Sequence, residues 1–381
     1  MSRSVCLAVL IAFAVSAYGQ DRAAQVQLAF SRAQHLRHGI NASEWFAQRG
    51  TYTAEFTDRY TDANDIALMA KLGFDYVRLS IDAVPLEMAF HHYGGSNDDF
   101  LPRLDKAVDA MLGNGLAVLI DLHPNDSYKQ QLRTGNENVD RLVMLWRKLA
   151  EHYADRDPER VFFEVMNEPE VTDAYRWAGI QERVVAAIRE VAPKHTIIAA
   201  GTSYSDVWDL LALRPLADGN IIYNFHFYEP HEFTHQGASW SEPYWNYLHD
   251  IPYPATENSM QELLKEVPDP VSRYQLENYW LNHWDSHHIR ALMDEAMQWA
   301  HDNHVPLICN EFGAFRDHMD QDSRMNWLRD VRTALEADGI GWAMWDYRGS
   351  FGVVRKQDGQ AAVVDDAVVK ALGLNGKSDG K

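Results

Sequence analysis

The chain has 381 residues, 46% of them apolar and 12% aromatic, and a formal net charge of −20 at pH 7. That length is long for an average domain but ordinary for one elaborated α/β barrel, and the apolar fraction is enough for a large core. The acidic balance excludes nucleic acid and anionic membrane surfaces as expected partners, since both are met by Lys and Arg, and it fits a neutral partner.

Residues 1–19 have the form of a secretory signal peptide. Arg3 gives the positive start, Cys6 to Val15 the apolar centre, and Ser16-Ala-Tyr-Gly19 the small residues near a cut. The apolar run is too short to span a bilayer. The expected location is therefore extracellular or periplasmic. Residues 20–381 are expected to form one domain with a single cysteine, Cys309, and no internal disulfide.

Residues 20–35 are a polar, helix-prone lead-in. Arg37 to Asn41 is the first strand, followed by the loop Ala42-Ser-Glu-Trp45-Phe46. Asp62 caps a helix through Leu72 that Gly73 ends. Phe74 to Ser80 is the second strand and residues 102–113 the next helix. Ala117 to His123 is the third strand, stopped at Pro124, and Asn138 to Tyr153 an amphipathic helix. The fourth strand, Val161 to Val165, ends in Asn167-Glu168-Pro169, because proline cannot continue a central strand. A helix over Ala174–Val191, a fifth strand over Thr196–Ala200, a helix from Asp206 and a sixth strand over Asn220–His226 follow.

Then the rhythm breaks. Residues 229–285 hold many aromatics, prolines and histidines with no strand to place. A loop of that length in a compact domain is usually functional, and this one is expected to lie over a barrel mouth with some helix in it. The alternation resumes with a helix near His288–His301, a seventh strand over residues 305–310, a helix over Met319–Asp338, an eighth strand over Gly341–Trp345 and a short helix within residues 361–372. Eight short apolar strands alternating with helices predict a (β/α)8 TIM barrel of the α/β class, a single domain elaborated after strand 6.

In such a barrel the active residues sit at the C-terminal strand ends. Here those ends deliver Asn41, Arg78, His123, Asn167, Glu168, His226, Tyr228, Glu311 and Trp345 to one mouth. Two carboxylates, Glu168 and Glu311, stand after two apolar strands, which is the arrangement that glycosidic bond hydrolysis requires. Glu164 and Asp121 share strand parity with these residues and are expected to point inward, deeper in the barrel. Trp45, Tyr128, Trp208 and Trp240 are candidates for outer sugar-stacking positions. No histidine pair has a recognisable metal-ligand spacing, and no Gly-rich phosphate loop follows a strand, so neither metal nor nucleotide cofactor is expected.

The set resembles glycoside hydrolase family 5, the cellulase-type retaining barrels. The matching motifs are Val77-Arg78-Leu79, Asp121-Leu-His123, Phe163-Glu-Val-Met-Asn167-Glu168-Pro169, His226-Phe-Tyr228, Asn310-Glu311-Phe-Gly313 and Trp342-Ala-Met-Trp345. Phe233-Thr-His-Gln-Gly-Ala-Ser-Trp240 also resembles a loop of bacterial endoglucanases in that family. The resemblance implies that Glu168 is the general acid/base and Glu311 the nucleophile, steadied by Arg78 and the Tyr228 hydroxyl. It also implies that Asn167 binds the sugar 2-hydroxyl, that His123 and His226 line the same subsite, and that Trp345 is a stacking platform. The implied activity is an endo-β-1,4-glucanase acting on β-glucan; with the N-terminal segment, a secreted enzyme is expected, and a monomer. The same chemistry on mannan, xyloglucan or mixed β-1,3/1,4-glucan stays open, as do a catalytically silent carbohydrate-binding barrel and a metal-dependent barrel hydrolase.

Overall fold

A computed structural model describes residues 21–91, 99–240 and 242–374. The signal-peptide segment expected at residues 1–19 lies outside the described residues. Eight parallel strands close into a barrel in sequence order: β1 (His38–Phe46), β2 (Tyr76–Ile81), β3 (Ala117–Leu122), β4 (Val161–Glu164), β5 (Ile197–Ala199), β6 (Ile221–Phe227), β7 (Leu307–Phe312) and β8 (Gly341–Met344), with β8 pairing back to β1. The barrel expected from the alternating pattern is the fold observed.

The two faces of each strand explain the two cores. Residues such as Val77, Val118, Phe163 and Ile197 point out and pack under the ring of helices. Tyr76, Leu119, Phe162, Ile198, Ile222, Ile308 and Ala343 point in and fill the bottom of the barrel. The N-terminal helix over residues 21–33 presses Ala29 and the following turn presses Leu36 against this inner plug, closing the barrel floor. At Gly39 an added Cβ would come within 2.3 Å of the Tyr76 ring, so β1 leaves room for the largest plug residue. Two positions further along five of these strands, the inward side chain is polar: Arg78, Asp121, Glu164, Asn224 and Asn310, all essentially inaccessible to water. The barrel interior thus changes from apolar floor to polar mouth in one step of the strand alternation.

Helix boundaries follow local chemistry. Asp62 accepts from the amides of Asn64 and Asp65, Asp65 answers with a reciprocal bond to the Asp62 amide, and Gly73 ends the helix Ala63–Leu72 at φ 104°. Three short helices have no counterpart in the sequence reading: Ala54–Tyr60, Ala83–His91 and Asp126–Leu132. At seven to nine residues they are too short to declare a periodic apolar face. β1 also continues past Asn41 through the expected loop to Phe46, with an irregular register between Ala42 and Phe46.

The stretch after β6 contains no described strand, as expected. It is built from helices His231–Thr234, Glu257–Glu266 and Pro270–Leu281 and a tight turn over Pro243–Tyr247. After β8 a small antiparallel pair, β9 (Val354–Arg355) with β10 (Val363–Val364), precedes the last helix, Asp366–Ala371. No helix among the described residues is long and apolar enough to cross a membrane.

Candidate active site

The site is organised around one buried cation. Arg78 on β2 is fully buried and its guanidinium fans out to four strands. Nε and Nη2 grip both oxygens of Glu164 at 2.8 Å, Nη1 donates to Glu311 Oε2 at 2.7 Å and to Asn41 Oδ1 at 3.0 Å, and Nη2 donates to Asn167 Oδ1 at 2.9 Å. Nη2 also lies 3.2 Å from Asp121 Oδ2. Burial works against the charge on Arg78, but Asp121, Glu164 and Glu311 outweigh it and hold the guanidinium firmly protonated. Lysine could not replace it, because only the planar fork presents donors in these directions at once.

Glu164 is the counter-anchor. Besides Arg78 it accepts from Asn224 Nδ2 at 3.0 Å and Asn310 Nδ2 at 2.7 Å, so both of its oxygens are committed inside the barrel. Asp121 accepts from or faces His123 Nδ1 at 2.9 Å. Both acids occupy the deeper inward positions expected from strand parity, and neither lines the cavity. Burial, with Arg78 nearby, lowers His123 to about 3, which keeps its ring neutral.

Glu311 reaches the site through a distortion of β7. Cys309 pairs with Phe225, but the next pair is His226 with Glu311, so β7 has one extra residue against β6. The same extra residue shows against β8, where Cys309 pairs with Trp342 and Phe312 with Met344. A bulge of this kind re-aims side chains. Here it lets Asn310 and Glu311, sequence neighbours that strict alternation would send to opposite faces, both face the barrel interior. Glu311 Oε1 accepts the Tyr228 hydroxyl at 2.7 Å and Oε2 the Arg78 guanidinium, leaving the carboxylate fixed from two sides.

Glu168 lies beyond the end of β4, in the turn that Pro169 forces. Its φ is +39°, a left-handed conformation that side chains other than glycine rarely adopt, and Glu170 follows at +54°. The turn is held by the Asn167 amide on the Leu122 carbonyl and the Glu170 amide on the Ser203 carbonyl, both at 2.9 Å. Strain of this sort costs on the order of 1–3 kcal/mol and persists where neighbours over-determine it. Glu168 shares a 2.9 Å hydrogen bond with His226 Nδ1. Burial raises the Glu168 carboxyl above the usual carboxylate range, with Lys129 the largest influence in the other direction. Burial likewise lowers His226, so the pair is a carboxyl inclined to keep its proton beside a neutral imidazole.

One oxygen of Glu168, one of Glu311 and a His226 nitrogen lie within 4.8 Å of one another. Among the described residues they are the one trio whose spacing could hold a metal ion. Both Glu311 oxygens, however, already accept hydrogen bonds, one of them from a buried guanidinium that would repel a cation. The donor set suits a carboxyl pair better than a metal centre.

These side chains open into a cavity of about 690 Å³. It brings together Glu168, Glu311, Asn167, His123, His226, Tyr228, Trp345 and Trp240 from the expected set. Trp345 is half-buried and stacks on His123, with centroids 5.8 Å apart and planes 20° off parallel. Trp240 is exposed at the rim. Arg78 lies beneath the cavity and acts through Glu311 and Asn167.

Trp45 corrects an expectation. It is buried against Phe46, its indole N–H donates to the Thr57 carbonyl at 2.8 Å, and it does not line the cavity. Because β1 continues as strand through Trp45, its ring goes to the outer core and not to the mouth. Tyr128 is also buried, its hydroxyl on Glu87, and Trp208 is exposed and does not line the cavity. The cavity further recruits Glu229, His231, His235 and Trp245 from the stretch after β6, Tyr204 and Asp206 after β5, and Ser43, Glu44 and Asp346 beside Trp345. The sequence drew attention to His231 and His235 only as histidines without a metal-ligand spacing, and gave none of these residues a place in the site. Asp346 had one local signal, its place directly after a strand-end tryptophan.

The chain is similar to known proteins over most of its length. A family model described as cellulase (glycosyl hydrolase family 5) matches residues 40–350. Endoglucanase C of Acetivibrio thermocellus is 31% identical over 319 residues, 82% of this chain and 91% of that protein. Endoglucanase 3 of Fibrobacter succinogenes is 29% identical over 90% of this chain and 53% of its own length. Among solved structures, the endoglucanase Cel5A of Thermotoga maritima superposes with a TM-score of 0.69 at 26% identity, over 90% of this chain and 99% of that one.

Proposed function

Because the chain belongs to the cellulase family, glycosyl hydrolase family 5, and is a glycoside hydrolase of the endoglucanase kind, we propose that it is a secreted, retaining endo-β-1,4-glucanase in which Glu311 is the nucleophile and Glu168 the acid/base. The observation that carries this reading is the carboxyl pair itself. A retaining mechanism needs two carboxyl groups about 5–5.5 Å apart, whereas an inverting one needs about 6.5–9.5 Å to admit a water. One oxygen of Glu168 and one of Glu311 lie within 4.8 Å of one another, an approach that suits the former.

The environments divide the labour. Glu311 is gripped by Arg78 and Tyr228 and is ready to attack the anomeric carbon as the carboxylate. Glu168, raised by burial, protonates the leaving oxygen. Glu168 then takes a proton from water, which opens the glycosyl ester and returns Glu311 to its free form. Asn167, with its amide oxygen held by Arg78, is left with its Nδ2 to donate to the sugar 2-hydroxyl, a contact that strengthens in the transition state. Trp345, braced by His123, gives the sugar a flat apolar face.

Two experiments test this. Glu311→Gln should lower hydrolysis of carboxymethyl cellulose by several orders of magnitude while leaving the protein folded, as circular dichroism reads. Proton NMR of the first product from wild-type enzyme should show the β anomer; an α product would mean inversion. Mannan is a second reading with a specific basis, since the Thermotoga maritima Cel5A neighbour is described in complex with mannotriose as well as cellobiose. Parallel rates on carboxymethyl cellulose and mannan separate the two substrates.

A further inference from the structure

The cleft crosses the mouth of the barrel. Glu168 follows β4 and Asp206 follows β5; across from them Ser43 and Glu44 lie on β1, and Trp345 and Asp346 follow β8. An acid must stand beside the oxygen it protonates, so the leaving group lies toward β4 and β5. The sugars that stay on the enzyme, the glycone, lie toward β8 and β1.

At that glycone end is a carboxyl with one half in use. Asp346 is only 2% exposed, yet it lines the cavity. Its Oδ2 accepts the Ser43 hydroxyl and the Gly349 amide N–H, the latter at 3.0 Å. This oxygen helps tie the loop after β8 to β1, beside the Tyr347 amide on the Asn41 carbonyl at 3.0 Å. Its Oδ1 is buried and has no hydrogen-bond partner among the described residues. A buried acceptor without a donor costs on the order of 1–3 kcal/mol. An added Cβ at Gly349 would fall 2.2 Å from Oδ2, so the loop is moulded closely around the carboxyl. Burial, reinforced by the negative Glu44, pushes the Asp346 carboxyl up to about 6, against the bond from Ser43. The fold therefore holds an acceptor, poorly compensated by protein, on a residue that lines a sugar-sized cavity.

On the retaining-glycosidase reading above, we propose that Asp346 is a substrate-binding residue whose Oδ1 accepts a hydroxyl hydrogen of the glycone lying along Trp345, so that the enzyme selects a glycone unsubstituted at that hydroxyl. An acceptor-only group rejects a sugar in which that hydroxyl is removed, esterified or branched, because its own desolvation then goes uncompensated.

The test is a crystal structure of Glu311→Gln with cellotriose, together with calorimetry. The crystal should place a glycone hydroxyl within hydrogen-bond distance of Asp346 Oδ1; a bound sugar that leaves this oxygen untouched overturns the assignment. This arm does not depend on an Asp346 variant folding. In calorimetry, Asp346→Asn added to Glu311→Gln keeps an oxygen for the Gly349 amide but can turn an NH2 into the cavity. Cellotriose should bind roughly 10- to 100-fold more weakly to it. The monodeoxy cellotriose lacking the contacted hydroxyl should bind both proteins equally. An unchanged Kd, or the same loss for the deoxy sugar as for cellotriose, overturns the proposal, the latter outcome being that of a merely structural residue. Failure of wild-type enzyme to cleave glucan would instead strike the hydrolase reading, and the binding arms would still decide the contact.

Discussion

Arg78→Lys keeps the positive charge and removes the geometry, which makes it the sharpest probe of how the site is held. The guanidinium serves Glu164 twice, Glu311, Asn41 and Asn167 through three nitrogens pointing in different directions. A lysine ammonium has three donors on one nitrogen. At least two of these bonds cannot be remade, and since Arg78 is fully buried no water replaces them. At roughly 1.5–3 kcal/mol for a hydrogen bond to a charged group, the loss of stability is on the order of 3–6 kcal/mol. If the contact to Glu311 is among those lost, kcat/KM falls on the order of 10- to 150-fold from orientation alone. Urea unfolding and kcat/KM on an aryl β-cellobioside read the two effects separately. A variant within about 1 kcal/mol and threefold of wild type would refute the reasoning, since the site would then not depend on the fork that Arg78 supplies.

Other predictions rest on different parts of the structure. Glu168→Gln should lose roughly 10²- to 10⁴-fold on glucan but far less in the first step on a cellobioside whose phenol leaves without protonation, and azide should restore the second step; equal losses on both substrates would argue against an acid/base role. Glu229 is buried near Asp206 and pushed up to about 8, so folding favours its protonated form. The unfolded chain releases that proton near pH 4.3, so stability is lost as pH rises from there toward 8. Glu229→Gln keeps an acceptor for the Tyr228 amide and should stabilise the protein little at pH 4 but on the order of 3 kcal/mol at pH 7, as measured by denaturant midpoints across pH. Gly313→Ala would place a Cβ 2.4 Å from the Trp345 carbonyl oxygen. It should cost roughly 1–3 kcal/mol and raise KM more than it lowers kcat, because the platform shifts while the carboxyl pair stays.

Much of this protein was legible residue by residue. The alternation of apolar runs with amphipathic helices is a local property, and it sufficed for the barrel and for the strand ends. Asn167-Glu168-Pro169 announces its own turn, and the inward parity of Glu164 and Asp121 follows from counting by twos along their strands. What counting by twos could not supply is the bulge in β7. By strict alternation Asn310 and Glu311 would face opposite ways; both face inward because β7 carries one extra residue against β6 and β8, and pairing between distant segments has no signature within six residues of strand. Trp45 fails for a related reason: its sequence neighbours look like loop, but pairing with β2 extends β1 and turns the ring into the core. The helical stretch after β6 brought His231, His235 and Trp245 to the cavity through packing that no short-range pattern encodes. The sequence by itself determined which chemistry is present and at which end of which strand. The tertiary structure decided which side chains meet, because register and packing are settled only between segments far apart in the chain.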